Sequence, residues 1–271
     1  MIRSWIMILS VVYVAQVDGA VPVSNRDQHM VFPRGPVQAV AAKAYHQQLE
    51  QLAGKGELDS NPQTLTRIRN ICSQLIAQAI RLKPVSVGWP WEVHITSDPN
   101  VAAYSMAGGK LMVSTAFIAH YKLSDEELAV AMAHEIGHVI AEHVREQVSM
   151  AALFNKSVPL HARKVADVVN AMQSDIGIYL RLQPLSRLQE MEADDIGIEL
   201  AARAGIPPSA IVSFYGKLAQ GDSSQSIFDT HGSVTQRVRF VDSMANYAKP
   251  VYEASRHATT LPNYVFANAN Q

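Results

Sequence analysis

Residues 131–143 read AMAHEIGHVIAEH and hold three of the chain's ten histidines. His134, Glu135 and His138 spell H-E-x-x-H. On a helix, residues four apart share a face, so both imidazoles can point at one ion. Glu135 is turned about 100° from His134, which lets its carboxylate reach a water on that ion instead of the ion itself. The spacing thus separates two metal ligands from one general base. The competing reading is a pair of hydrogen-bonded core histidines. Ile136, Val139 and Ile140 are apolar, Ala131, Ala133 and Gly137 are small, and such a helix is buried.

A catalytic zinc takes three protein ligands and keeps a fourth position open. A metzincin would place glycine at 141 and histidine at 144, where this chain has Ala141 and Val144. His143 is five beyond His138 and would sit well round an unbroken helix, as a weaker candidate ligand or as a surface or supporting group. The stronger candidate lies in SRLQEMEADDIGIEL, residues 186–200. Glu190 and Asp194 are four apart and share a face. Glu190 could be the third ligand, and Asp194 could accept a hydrogen bond from a ligand histidine's other ring nitrogen. Standing alone, this segment could equally be a solvated acidic face.

The elements that must position these residues are legible in part. Ser124 with Glu127 forms a capping box and opens a helix from Asp125 to about Val148. Ser186 with Gln189 forms a second, whose helix ends at Gly205 ahead of Pro207 and Pro208. Ala193, Gly197 and Ala201 are small enough for close helix packing. Helical spacing predicts further helices over 37–54, from Pro62 to about Leu82, and over 158–182, 208–220 and 234–247. Trp91, Val93 and Ile95 alternate as in a strand, and Gly108-Gly109 between two strand-like runs predicts a hairpin. The tail after Lys249 shows no period.

Composition narrows the class. Of 271 residues, 48% are hydrophobic and 17% charged, a globular balance. The formal net charge of −1 and the lack of a dense Lys/Arg block argue against nucleic-acid binding. One cysteine, Cys72, rules out an internal disulfide. It lies in a helical apolar pattern and reads as a buried small hydrophobe. At the N-terminus, Arg3, an apolar run of about 13 residues from Trp5, and Gly19-Ala20 have the layout of a secretory signal peptide. The expected organisation is a signal peptide over 1–20, a mobile linker over 21–36, one domain over 37–248 and a tail over 249–271. The signal peptide implies a periplasmic protein; the alternative is an uncleaved membrane anchor.

From about Trp91 to Val241 the chain resembles the HtpX-like zinc metallopeptidases, relatives of the CAAX prenyl endopeptidases and of the Oma1-type quality-control proteases. The residues that carry the resemblance are AGGKLMVS, SDEELAVAMAHEIGHVIAEH, SRLQEMEADDIGIELAARAGIPP and THGSVTQRVRF, in that order. It implies an α+β, mostly helical zincin-like domain with a small antiparallel sheet beside the HExxH helix. It implies one zinc ion on His134, His138 and Glu190, with Glu135 as general base and Asp194 supporting a ligand. His231 matches a histidine that contacts zinc or the developing oxyanion, and Arg237 an arginine facing the same cleft. Two departures stand out. Gly232 replaces the family's proline after His231, and AAYSMAGG replaces a pattern close to N-A-F-A-x-P-G-G. The expected activity is zinc-dependent cleavage of unfolded or misassembled envelope proteins. The substrate would be extended polypeptide, and other proteins near the membrane could be partners. The alternative is a latent or non-catalytic, chaperone-like factor using the same groove.

Overall fold

A computed structural model describes residues 26–154, 159–220, 239–257 and 263–266. The expected 1–20 signal peptide, His231 and Arg237 lie outside these residues. Helix α1 spans Arg34–Gly54 and α2 Pro62–Leu82. Asn61 caps α2 by accepting a hydrogen bond from the Thr64 amide, and Pro62 sits where no amide donor is needed. The stripe of α2 that carries Ile68, Cys72, Leu75, Ile76 and Ala79 is buried. Burial pushes the Cys72 thiol far up, so it is an inert core residue.

Strands β1 (Glu92–Thr96), β2 (Ala103–Met106) and β3 (Lys110–Ser114) form a sheet in the order β1-β3-β2. β2 and β3 are the expected hairpin, turning through Gly108 and Gly109 at φ 84° and 82°. The sheet is mixed, not antiparallel, because β1 pairs parallel to β3. All five residues of β3 are buried, and a strand covered on both faces belongs in the middle. Leu111 and Val113 join the main core, while Met112 packs with Tyr45 and Leu52 of α1.

After α3 (Thr115–His120) comes α4, Asp125–Ile140, with both bonds of the Ser124–Glu127 capping box formed. The expected single helix to about Val148 breaks here. Ala141 closes α4, Glu142 takes a left-handed φ of 58°, and α5 restarts at His143–Phe154. No glycine or proline marks the break. Arg34, Lys83 and Arg145 hold the Glu142 carboxylate at 2.7–3.0 Å, and tertiary bonds of this kind offset the cost of a left-handed residue.

Helix α6 is Val165–Ser174 and α7 is Ile176–Arg203. Ser186, expected to cap a helix, lies inside α7, which Asp175 caps instead through the Gly177 and Ile178 amides. Pro184 leaves the Leu180 carbonyl without its usual partner; Leu180 is exposed, so water can serve it. Gln189 donates to Glu146 and not back to a cap. Helix α8 spans Pro208–Gln220 and α9 Val241–Arg256, so the boundary drawn at residue 249 falls inside α9. Beyond it, the Tyr264 amide donates to the Ser73 carbonyl at 3.0 Å.

Residues 26–33, expected to be mobile, are packed down as a strap across α5. The Val31 amide donates to the Ser149 hydroxyl at 3.0 Å, and Phe32 is buried. Among the described residues, no helix is long and apolar enough to cross a membrane.

Candidate metal centre

Helices α4 and α7 lie against each other because both are small where they cross. A Cβ on Gly137 would sit 2.8 Å from the Ala193 carbonyl oxygen, and one on Gly197 would sit 2.8 Å from the His134 backbone. Contact this close brings a ligand-bearing face of each helix together. His134 is 3% exposed and Glu190 7% exposed.

Two imidazole nitrogens and both oxygens of one carboxylate converge there. The Nε2 atoms of His134 and His138 are 3.1 Å apart. Glu190 Oε2 is 3.3 Å from the first and Oε1 is 3.4 Å from the second. Among the described residues, these three form the one group of His, Cys, Asp and Glu able to hold a metal ion. Tetrahedral zinc with bonds of about 2.0–2.1 Å spaces its ligands about 3.3–3.4 Å apart, so the donor set fits that ion.

Hydrogen bonding behind His134 supports the same fit. Its Nδ1 lies 2.9 Å from Asp194 Oδ1, and an ionised carboxylate only accepts, so Nδ1 carries the hydrogen. The Nε2 lone pair therefore faces the other two donors. Asp194 is held in turn by the Tyr215 hydroxyl, which donates to the same oxygen at 2.6 Å. Burial pushes His138 down to about 4, against the opposing pull of its bond to Glu190, with the neighbouring His134 adding to the fall. A neutral imidazole offers its nitrogen to a cation. Glu135, one residue past His134, is buried at 1% exposure.

His138 lies beside β2, which pairs on one side only among the described strands. A narrow crevice next to His138 is walled by Arg34, Trp89, Met106, Gly108, Val139 and Arg145.

His134, His138 and Glu190 thus stand together, with Asp194 behind His134 and Glu135 next to it in the chain. Two groups escape the sequence reading, which weighs His143 as a weaker candidate ligand or as a surface or supporting group. Tyr215 acts from α8, 21 residues beyond its partner, and nothing local announces it. Arg26 and Gln189 surround Glu146 beneath the centre. His143 belongs with the centre because the helix breaks before it.

The pattern of Peptidase family M48 matches residues 62–245, more than half of the chain. The chain is 36% identical over 157 residues to mitochondrial metalloendopeptidase OMA1 of Arabidopsis thaliana, covering 57% of this chain and 31% of that one. It is 25% identical to the Saccharomyces cerevisiae protein of the same name, covering 94% and 76%. It is also 25% identical to the beta-barrel assembly-enhancing protease of Escherichia coli, covering 75% and 43%. The chain therefore spans under half the length of the plant and bacterial relatives.

Proposed function

The chain belongs to peptidase family M48 and carries a metalloprotease domain, and from that premise we propose an exported zinc endopeptidase that cuts unfolded or misassembled envelope proteins. The observation that carries the zinc reading is the convergence of His134, His138 and Glu190 from α4 and α7, one ligand atom from each lying within 4.8 Å of the others. His134, His138 and Glu190 would hold the ion. Zinc, when bound, supplies Lewis-acid polarisation of water and of a scissile carbonyl.

The chain's own residues do the rest. Glu135 accepts the proton of the attacking water and returns it to the leaving amine. Asp194, fixed by Tyr215, keeps His134 in the tautomer that presents Nε2. His231 or Arg237 would stabilise the developing oxyanion. The unpaired side of β2 offers main-chain donors and acceptors to an extended peptide, the usual way a strand is added to a sheet edge. Extended or unfolded polypeptide follows as the substrate class. Export rests on the N-terminal pattern of Arg3, the apolar run and Gly19-Ala20, and implies a periplasmic location. The bacterial relative's link to β-barrel assembly supports envelope substrates.

Glu135→Gln tests the reading against a chaperone-like protein that binds without cutting. The substitution keeps the shape and removes the base. Cleavage of unfolded casein is expected to fall by about 10²–10⁴-fold with zinc content unchanged. Cleavage at the wild-type rate would overturn the assignment.

A further inference from the structure

We infer that His143 is a positioning residue for His138, anchored through Glu192 to Arg26 of the N-terminal strap. The inference rests on the zinc reading above.

On one continuous helix, His143 would lie about 140° round from His138. The break at Ala141–Glu142 brings it back. Its Nδ1 lies 2.8 Å from His138 Nδ1, with the rings at 78° and their centroids 4.9 Å apart. His143 is 1% exposed, and a polar ring buried that deeply needs partners. The roles in the contact follow from the site. His138 turns Nε2 toward His134 and Glu190, so a ligating His138 carries its hydrogen on Nδ1 and donates it to His143. His143 must then carry its own hydrogen on Nε2. That atom makes no well-formed hydrogen bond here, and Glu192 Oε2 lies 3.3 Å from it.

The far end is fixed by charge. Arg26 donates to Glu192 at 2.8 Å and to both oxygens of Glu146 at 2.5 and 2.7 Å. Gln189 donates to Glu146 at 2.8 Å and to the His143 carbonyl at 3.3 Å. The two ligand histidines are therefore supported differently. His134 leans directly on a carboxylate, whereas His138 leans on a neutral imidazole with a carboxylate one step behind. An acceptor at this position fixes the ring's tautomer and aim, and such partners are commonly worth 10–100-fold in metal affinity.

The test compares His143→Leu, which keeps bulk and removes the acceptor, with His143→Gln, whose amide oxygen can still accept from His138. The full chain is titrated with zinc against a chromophoric chelator, and the visible spectrum of the cobalt-loaded protein is recorded. His143→Leu is expected to bind zinc about 10–100-fold more weakly and to shift the cobalt bands. His143→Gln should stay within a few-fold of wild type. The melting temperature of the metal-free protein should change little between the two. Equal zinc affinity in both variants overturns the inference, whether they match wild type or are equally weak. If His143→Leu does not fold, Glu192→Gln decides: several-fold weaker zinc binding supports the chain, and wild-type affinity overturns it. Wild-type protein that binds no zinc would sink the zinc reading and this inference together, whereas tight wild-type binding with indifferent variants sinks this inference alone.

Discussion

Asp194 shows how much a single side chain decides at the metal centre. One of its oxygens accepts from both His134 Nδ1 and the Tyr215 hydroxyl, at 2.9 and 2.6 Å, and the residue is 1% exposed. A carboxylate buried this deeply is tolerable only with such donors around it. Removing it by Asp194→Ala leaves His134 free to change tautomer and strands the Tyr215 hydroxyl. Zinc affinity is expected to fall by about 10–100-fold, read by chelator competition. Tyr215→Phe removes one donor and leaves the carboxylate in place. It should cost about 1 kcal/mol in folding free energy and much less in zinc affinity, measured by urea denaturation and by the same titration. If Tyr215→Phe weakens zinc as much as Asp194→Ala, the hydroxyl and not the carboxylate sets the ring. The residues of H-E-x-x-H and E-x-x-x-D were legible because helical spacing converts directly into a shared face. Tyr215 and Arg26 were not, and the sequence left His143 open between a weaker ligand and a surface or supporting group, since each depends on where a different element comes to rest.

At the scale of elements, the centre exists because α4 and α7 approach without a side chain between them. Gly197 is one of the two tightest points, where an added Cβ would meet His134 Cα and N at 2.8 Å. Backbone cannot yield as the end of a flexible side chain can, so Gly197→Ala must push the helices apart. The expected cost is about 1–3 kcal/mol of stability, with weaker zinc binding because Glu190 moves away from the two histidines. Gly216→Ala on α8 is the control. Nothing lies within 4 Å of its added methyl, and alanine is the better helix former, so its melting temperature should hold or rise. Small residues on α7 pointed to this packing in advance, as did the capping box that starts α4. Two local signals failed for physical reasons. Ser186 and Gln189 match a capping box, but the helix is already running from Asp175, and the Gln189 side chain is committed to Glu146. The break at Glu142 has no local signal, because two of the three cations that stabilise it, Arg34 and Lys83, come from 108 and 59 residues away. The place of β3 in the centre of the sheet was likewise invisible in a pattern that marks strands without marking their order.

Across the whole molecule, Glu142 joins parts that are distant in sequence. Arg34 starts α1, Lys83 follows α2, Arg145 lies on α5, and the carboxylate they share sits at the break beside the metal centre. Burial alone would raise the Glu142 carboxyl, but the three cations outweigh it and hold it at about 2, against an ordinary value of 4.5. The sign follows from that order. A group whose folded value lies below its unfolded one contributes its full stability above about 4.5 and loses it as the pH falls toward about 2. Glu146 is also held low, against the upward push of burial, by bonds from Arg26 and Gln189, so the strap and the break should weaken over the same acid range. The wild-type urea midpoint is therefore expected to drop between pH 5 and pH 3. Glu142→Gln should be less stable at pH 7, because it leaves three cations around a neutral amide. Its midpoint should also fall less steeply with acid, since one of the titrating carboxylates is gone. Parallel curves for the two proteins would mean that Glu142 does not fasten the strap side of the molecule to the metal-bearing helices.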